Sequence, residues 1–269
     1  MVRRVAITIM VLWALLATIN ASASNTVRLE YDLTPGSVVK HRLTADIQMT
    51  SQTTGNTGGT TPMKLELTGL IRARVLERLP NGTVKVSVSM EQMKLGAPGS
   101  DAPMEFPIQT TVAIVDKHGR LVRYEEGRRN TLHTAFSAGE VGAFIPFPAK
   151  LLKIGDNWTN RHEMPGKDAH VQVQNRLVNR ALPVGSNVVS RVSHRFTGRL
   201  DMSEAGPPLA LLMGQVGAGG TGRISGSGTT DFSPSKGKLI RSEVNLDLTV
   251  QPETGPTTRT KLRAVLQAI

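Results

Sequence analysis

The chain has 269 residues, 39% of them hydrophobic and 20% charged, which is enough apolar material for one or two globular domains. It contains no cysteine, and this excludes disulfides, thiolate metal sites, cysteine nucleophiles and a lipid-modified N-terminal cysteine. The 32 lysine and arginine residues outnumber the 21 aspartate and glutamate residues, giving a formal net charge of +11. Such an excess favours anionic partners without identifying one.

The N-terminal segment is typical of a cleavable export signal. Arg3 and Arg4 precede an uncharged apolar run over residues 5–19, and Ala21 and Ala23 place small side chains where signal peptidase requires them. The alternative is a membrane anchor, but the run is shorter than the roughly 20 residues that a spanning helix needs. We therefore expect removal of residues 1–23 to leave a soluble exported protein, either periplasmic or extracellular.

From residue 24 onward the dominant hydrophobic period is two, which is typical of half-buried β-strands. Between Val84 and Glu91, aliphatic side chains alternate with lysine, serine and glutamate, and the same alternation runs from Ile240 to Val250. About eleven strands are predicted in this way, at 26–33, 37–50, 63–78, 83–91, 105–115, 120–125, 169–182, 187–202, 220–232, 240–250 and 257–267.

Turn-forming residues join many of these strands into hairpins. Proline, glycine, asparagine and aspartate cluster at 80–82, 116–119, 183–186 and 234–237, so adjacent strands are predicted to be antiparallel. Several runs are two to three times the usual strand length, and long strands twist and curl. The predicted fold is all-β and mainly antiparallel, with long curved strands forming a sandwich or a half-barrel and with one or two short helical insertions.

The order of the motifs predicts one domain made of two similar halves. The turn Leu79–Gly82 recurs at Leu182–Gly185, and the run Gly119–Arg123 recurs at Gly237–Arg241. We expect a single β-rich domain over residues 24–269, whose halves, about 24–125 and 169–269, are joined by an irregular segment at 126–168. The helical insertions are predicted near 130–138 and at 207–215, where two prolines open an apolar run.

Several strings carry a resemblance to known proteins. They are the opening LxYxLxPG at 29–36, LPNGTVKVSVSMEQMKL at 79–95, DKHGRLV at 116–122, LKIGDNW at 152–158 and GSGTTDFSPSKGKLIRSEV at 226–244. In this layout the chain resembles exported bacterial β-rich proteins of uncharacterised families, and the resemblance supplies no catalytic residues. More loosely, the fold resembles the curved half-barrels of periplasmic lipoprotein carriers, although the lipid-attachment cysteine of many such carriers is missing.

The sequence contains no recognisable catalytic, metal or cofactor motif. Gly217–Gly222 matches the GxGxxG string of dinucleotide sites, but strand residues follow where a helix would have to begin. The glycines between 214 and 228 instead predict a loop and a strand with close packing or sharp curvature. The histidines lack metal-site spacing, and the nearest approach to an acid–base cluster is His162, Glu163 and Asp168. A non-enzymatic protein without cofactor or metal is predicted.

The ligand prediction rests on Trp158, which follows the turn residues Gly155–Asn157. One interpretation is that Trp158 closes one end of the core. The alternative is a ligand pocket whose wall combines Trp158 with other apolar side chains. Those side chains are Phe144, Phe147, Leu211 and Leu212.

Basic residues recur at a spacing of two or four on the polar faces of the predicted strands. The usual meaning is a solvated face that discourages aggregation of strand edges. The alternative is a surface for phospholipid headgroups or an acidic wall polymer. Nucleic acid is not expected, because few aromatic side chains are available for stacking on bases. The residues are Arg191, Arg195, Arg199, Arg259, Lys261 and Arg263.

Two functions therefore remain open. The first is an exported binding or envelope-associated protein that holds a lipid or another amphiphile inside the curved sheet. The second is a surface or scaffold module whose basic face binds anionic envelope material. Salt separates the two, because it weakens contacts between exposed charges and spares a buried lipid. The oligomeric state is left open by the sequence.

Overall fold

The computed structural model describes residues 25–52, 62–126, 144–163, 168–201, 220–253 and 256–269. In these ranges the chain forms strands and turns, which confirms the all-β fold class. None of their residues belongs to a helix that is long and apolar enough to cross a membrane. The predicted helices near 130–138 and at 207–215, and the predicted signal at 1–23, lie outside the described residues.

Fourteen strands are present in the described ranges, and seven of them have 13 or more residues. The strands are β1 (Thr26–Val27), β2 (Val38–Gln52), β3 (Met63–Arg78), β4 (Val84–Gly96), β5 (Met104–Glu105), β6 (Gln109–Val115), β7 (Leu121–Glu126), β8 (Leu152–Lys153), β9 (Asn157–Glu163), β10 (His170–Val184), β11 (Asn187–Asp201), β12 (Gly220–Ser233), β13 (Lys238–Pro252) and β14 (Thr257–Ala268).

Twelve strands form one antiparallel sheet, and β1 pairs with β8 separately. The order along the sheet is β7-β6-β4-β3-β2-β14-β13-β12-β11-β10-β9, with β5 attached to β4. The chain thus enters near the middle of the sheet, runs out to β7, and returns from β9 at the other edge until β14 pairs with β2. One continuous sheet replaces the two separate sheets of a sandwich.

The predicted hairpins are confirmed. The turns at 80–82, 116–119, 183–186 and 234–237 connect β3 to β4, β6 to β7, β10 to β11, and β12 to β13, each pair antiparallel. Along β2, buried His41, Leu43, Ala45, Ile47 and Met49 alternate with exposed residues, as the two-residue period requires. We call the face that carries these buried side chains inward and the opposite face outward.

One prediction for residues 126–168 is wrong in part, because Asn157–Glu163 forms strand β9 instead of an irregular segment. β9 lies at the edge of the sheet and pairs only with β10. Its inward residues are Trp158, Asn160 and His162, and two of these three are polar. Alternation of apolar and polar residues is therefore absent from the sequence at this strand.

The predicted strand at 26–33 is limited to Thr26 and Val27. The following residues cross one end of the sheet, where the backbone amide of Tyr31 donates to the Lys117 carbonyl and that of Asp32 donates to the Gly237 carbonyl. Lys117 and Gly237 belong to hairpin turns of different halves of the chain. Alternate residues are buried here because the segment covers the end of the core. This burial gives the sequence a strand-like alternation although the segment does not pair with a neighbouring strand.

Glycines allow the backbones of neighbouring strands to approach closely at β11 and β12. A Cβ atom added to Gly226 would collide with the carbonyl oxygen of Asn245, and one added to Gly198 would collide with that of His170. At Gly228 the collision is with the Glu243 carbonyl oxygen at 2.6 Å. The predicted close packing of the glycine-rich strand is confirmed at these positions.

Candidate ligand-binding faces

The inward face changes character along the sheet. On β2, β3 and β4 the inward side chains are almost fully buried in one large core cluster, as Ile47 and Leu67 show at 1% exposure each. On β12, β13 and β14 four of the corresponding aliphatic side chains are only half-buried, whereas Leu246, Val250 and Leu266 are buried. The half-buried ones are Ile224, Val244, Leu248 and Leu262. We call this second region the open inner face; it consists of Ile224, Gly226, Gly228, Val244, Leu246, Leu248, Thr260, Leu262 and Ala264.

Small side chains form one row that crosses the open inner face. Antiparallel pairing places Gly228, Val244 and Ala264 side by side on β12, β13 and β14, and Ala45 of β2 continues that row. Val244 and Ala264 are half-buried, whereas Ala45 is buried. The apolar surface of the row is therefore only partly covered at its β13 and β14 end.

Thr260 adds an unusual polar group to this face. Its side chain points inward between Leu248 and Met49 and is 5% exposed. Among the described residues the hydroxyl oxygen, itself buried, has no hydrogen-bond partner. A buried hydroxyl without a partner costs about 1–3 kcal/mol, and a polar atom that reached this group would recover that energy.

A hydrogen-bonded polar network borders the open inner face. His194 of β11 is fully buried and contacts Asn175 Oδ1 at 2.7 Å through Nδ1 and Thr230 Oγ1 at 2.8 Å through Nε2. Thr230 Oγ1 in turn lies 3.0 Å from Ser242 Oγ. Burial lowers the pKa of His194 to about 4, so the ring is neutral at pH 7. Each of these polar side chains has a hydrogen-bond partner inside the network, so the His194 imidazole has a structural role.

The predicted aromatic side chains pack together beside this polar network, where Trp158 pairs with Asn175. Phe147 packs against Phe232 with ring centroids 4.8 Å apart, against Tyr31 at 5.5 Å and against Trp158 at 6.5 Å. Trp158 donates from Nε1 to the Pro146 carbonyl at 3.2 Å. Burial raises the pKa of the Tyr31 phenol, whose oxygen also accepts from the Ile145 amide at 2.7 Å. Together with Phe144, these rings form a cluster that we call the aromatic plug.

The structure brings together part of the predicted ligand site. Trp158, Phe144 and Phe147 meet in the aromatic plug, whereas Leu211 and Leu212 lie outside the described residues. Beside the plug lies a cavity of about 20 Å³, which has room for about one water molecule. Burial lowers the pKa of His41, which lines this cavity, and leaves its Nδ1 without a hydrogen bond. The packing of the aromatic plug is therefore closer to that of the end of a core than to that of a ligand-pocket wall.

The predicted basic residues divide into two groups on the outward face. Three of them are paired with carboxylates: Arg191 with Asp231 through two bonds of 2.7 and 2.8 Å, Arg259 with Asp247, and Arg263 with Glu243. Hydrogen bonds from Arg263 and Arg241 lower the pKa of Glu243. Arg195, Arg199 and Lys261 have no ion pair within the part of the chain that the structure describes.

Sequence reasoning missed one basic residue on this face. Arg223 of β12 lies directly opposite Arg199 of β11 in the register of the sheet. Both side chains are exposed, and among the described residues neither has a carboxylate partner. The sequence contained no signal for this pair, because the register between two strands that are joined by residues 202–219 follows only from the folded sheet.

Two further cavities lie along the sheet. One of about 540 Å³ spans β3, β2, β14, β13 and β12, and its lining combines outward charged residues such as Lys64 and Asp247 with Gly226, Leu246 and Leu262 of the open inner face. The other, of about 790 Å³, lies at the ends of β11 and β13 beside Arg199, Asp201 and Glu253. The lining of this second cavity is mainly charged and polar.

The acidic and histidine residues of the described ranges form no group of three that could hold a metal ion. His162 points inward and Glu163 points outward, and Glu163 is bonded to Arg161 at 2.7 Å. Asp168 lies beyond the undescribed residues 164–167 at the start of β10. These three side chains therefore belong to different surroundings.

No family model and no curated protein matches the chain. Among solved structures, one described as lipid–protein interactions in lipovitellin is similar over 88% of this chain, with a TM-score of 0.42 and 11% identity, and this chain spans 25% of its length. The beta domain of the Bordetella autotransporter BrkA is similar over 86% of this chain and 100% of its own, with a TM-score of 0.26 and 10% identity. At these low values neither likeness bears on the function of this chain.

Proposed function

We propose that the protein is a non-enzymatic binding protein that holds an amphiphile against the open inner face of β12, β13 and β14. The observation that carries the proposal is the half-buried state of four of its aliphatic side chains, which pack against a cluster whose own members are buried. Ile224, Val244, Leu248 and Leu262 are the aliphatic groups concerned. Covering such apolar surface is worth about 25 cal/mol per Å².

The chemistry of the face supports a ligand with one polar group. The aliphatic side chains would contact an alkyl chain, and the orphan hydroxyl of Thr260 would donate to or accept from a polar atom of the ligand. The cavity of about 790 Å³ is lined mainly by charged and polar groups, so the proposal assigns the ligand to the aliphatic side chains of the open inner face.

The first test is native mass spectrometry of the protein purified without detergent from its own host, followed by solvent extraction and lipid analysis. A stoichiometric amphiphile supports the proposal. A protein that carries the mass of the bare chain, and that also fails to bind added palmitate or the apolar fluorophore N-phenyl-1-naphthylamine, contradicts it.

The substitution Thr260→Val separates the polar contact from the apolar one. We expect the variant to be about 1 kcal/mol more stable without ligand, because the unsatisfied hydroxyl is removed. We also expect it to bind palmitate about tenfold more weakly and N-phenyl-1-naphthylamine with unchanged affinity. Denaturant unfolding and fluorescence titration measure the two effects.

The matched control is Thr230→Val, since the Thr230 hydroxyl is also buried but has two partners, His194 and Ser242. This variant should be destabilised by about 1–3 kcal/mol. Equal loss of stability in the two variants would show that Thr260 has no special role.

A further inference from the structure

A second face of the protein has a composition that neither the fold nor the proposed amphiphile site explains. The middle of the outward side of β10, β11 and β12 carries four arginines among glutamine, serine and threonine residues. Arg191, Asp201 and Asp231 lie on the same side at the ends of this region and are not counted in it. We call it the arginine face; it consists of Gln172, Gln174, Arg176, Ser193, Arg195, Thr197, Arg199, Arg223, Ser225, Ser227 and Thr229.

The arginines of this face lack the partners that neighbouring arginines have. Within the described residues, none of Arg176, Arg195, Arg199 and Arg223 forms an ion pair. Arg199 and Arg223 lie directly opposite each other on neighbouring strands, an arrangement in which like charges destabilise a sheet. A repulsive pair without a counter-ion on the protein is relieved by an anion that binds between the two guanidinium groups.

The carboxylates that border the arginine face are already engaged. Glu163 is held by Arg161 at 2.7 Å, Asp231 by Arg191 at 2.7 Å, and Asp247 by Arg259 at 3.1 Å. Asp201, at the end of β11, also has a partner. Among the described residues, no carboxylate is therefore left to neutralise the arginine face.

The neutral members of the face identify the class of partner. Gln172 and Gln174 of β10 and Ser225 and Ser227 of β12 offer amide and hydroxyl groups between the guanidinium groups. These side chains form hydrogen bonds with hydroxyl-rich ligands. The face offers no apolar side chain for insertion into a bilayer and no ring for stacking on a base.

We propose that the arginine face binds an acidic polysaccharide, with the arginines contacting its carboxylates and the glutamine, serine and threonine side chains contacting its hydroxyls. Guanidinium groups bind carboxylates through two parallel hydrogen bonds, which suits a row of carboxylates presented by a polymer. The site is on the opposite side of the sheet from the open inner face, so it is independent of the amphiphile.

The experiment measures binding of the full chain to polygalacturonate by isothermal titration, with neutral dextran as the uncharged comparison. We expect binding to polygalacturonate that weakens as salt is raised, and no binding to dextran. The triple substitution Arg195→Gln, Arg199→Gln and Arg223→Gln should weaken binding at least about tenfold, because charge-assisted hydrogen bonds are lost. Circular dichroism and thermal melting confirm that the variant is folded.

The matched control removes the same charge from neighbouring outward residues by Arg259→Gln, Lys261→Gln and Arg263→Gln. Two of these cations are already paired, so we expect less than about a threefold loss of affinity. An equal loss in both triple variants would show that only net charge matters and would overturn the assignment. Tighter binding to vesicles of phosphatidylglycerol and phosphatidylcholine than to polygalacturonate would also overturn it, in favour of a membrane surface.

Amphiphile binding distinguishes this proposal from the preceding one. The triple variant of the arginine face should retain unchanged affinity for palmitate, whereas Thr260→Val should retain unchanged affinity for polygalacturonate. Loss of both activities in either variant would indicate that the two faces do not act independently.

Discussion

The inward faces of β2–β4 and of β12–β14 belong to the same sheet and have the same alternation, yet they are packed differently. Inward residues such as Ile47 and Leu67 on β2 and β3 are excluded from solvent, whereas Ile224, Val244, Leu248 and Leu262 on β12 to β14 are half-buried. Strand period alone therefore does not decide whether an inward side chain is fully buried. What packs over that side chain in the folded protein decides it.

The largest expected effect tests whether the two faces differ in packing. Leu67→Ala removes a side chain that is 1% exposed and should lower the free energy of unfolding by about 3 kcal/mol, because the cavity adds to the lost transfer energy. Leu248→Ala removes the same atoms from the open inner face and should cost about 1 kcal/mol. Urea unfolding of both variants measures the difference. Equal losses would mean that the two faces are packed alike.

The pH dependence of stability tests the polar network beside the open inner face. The pKa of His194 is about 4 in the folded protein, against the ordinary value of 6.5 expected in the unfolded chain. Between pH 4 and 6.5 the unfolded chain therefore binds more protons than the folded protein. The contribution of His194 to stability is complete above about pH 6.5 and is lost as the pH falls towards 4. The loss from this residue should reach up to about 3 kcal/mol. Chemical unfolding at several pH values measures it.

His194→Gln supplies the control for this pH effect. Its unfolding free energy should fall less steeply between pH 6.5 and 4 than that of the parent protein, although its stability at pH 7 is lower. His41, whose pKa is also lowered by burial, retains its own contribution in the variant. Identical slopes in the variant and the parent would contradict the assignment to His194.

A smaller effect tests the close approach of β12 and β13. Gly226→Ala places a methyl group against the Asn245 carbonyl and should cost about 2 kcal/mol, because the strands must move apart. Ser227→Ala changes the next residue, which points outward, and should alter stability by less than about 0.5 kcal/mol. Thermal melting compares the two. A tolerated Gly226→Ala would show that the packing of these strands does not depend on this glycine.

Particular elements show how far the sequence predicts this molecule. The alternation at Val84–Glu91 and the turn at 80–82 predicted a strand and a hairpin correctly, because strand period and turn chemistry are local properties. β9 was missed because its inward side chains, including Asn160 and His162, are largely polar. The duplication of the two halves stays a prediction.

The candidate sites were less predictable than the fold. Trp158 was correctly recognised as a packed residue, but its partners Tyr31 and Phe232 are distant in sequence and could not be assigned from it. Of the predicted basic residues, Arg191, Arg259 and Arg263 are engaged by carboxylates on neighbouring strands. Whether an arginine is paired depends on strand register, which the sequence does not state.

By itself, the sequence determined that this chain forms long antiparallel strands with one apolar side, because alternation and turn residues act over a few neighbouring positions. Only the tertiary structure decided which strands are neighbours, since β14 closes against β2 across more than 200 residues of chain. That pairing places Ala264 beside Ala45, and the pairing of β11 with β12 places Arg199 beside Arg223. Both candidate sites arise from contacts between distant residues, and such contacts form only when the sheet is assembled.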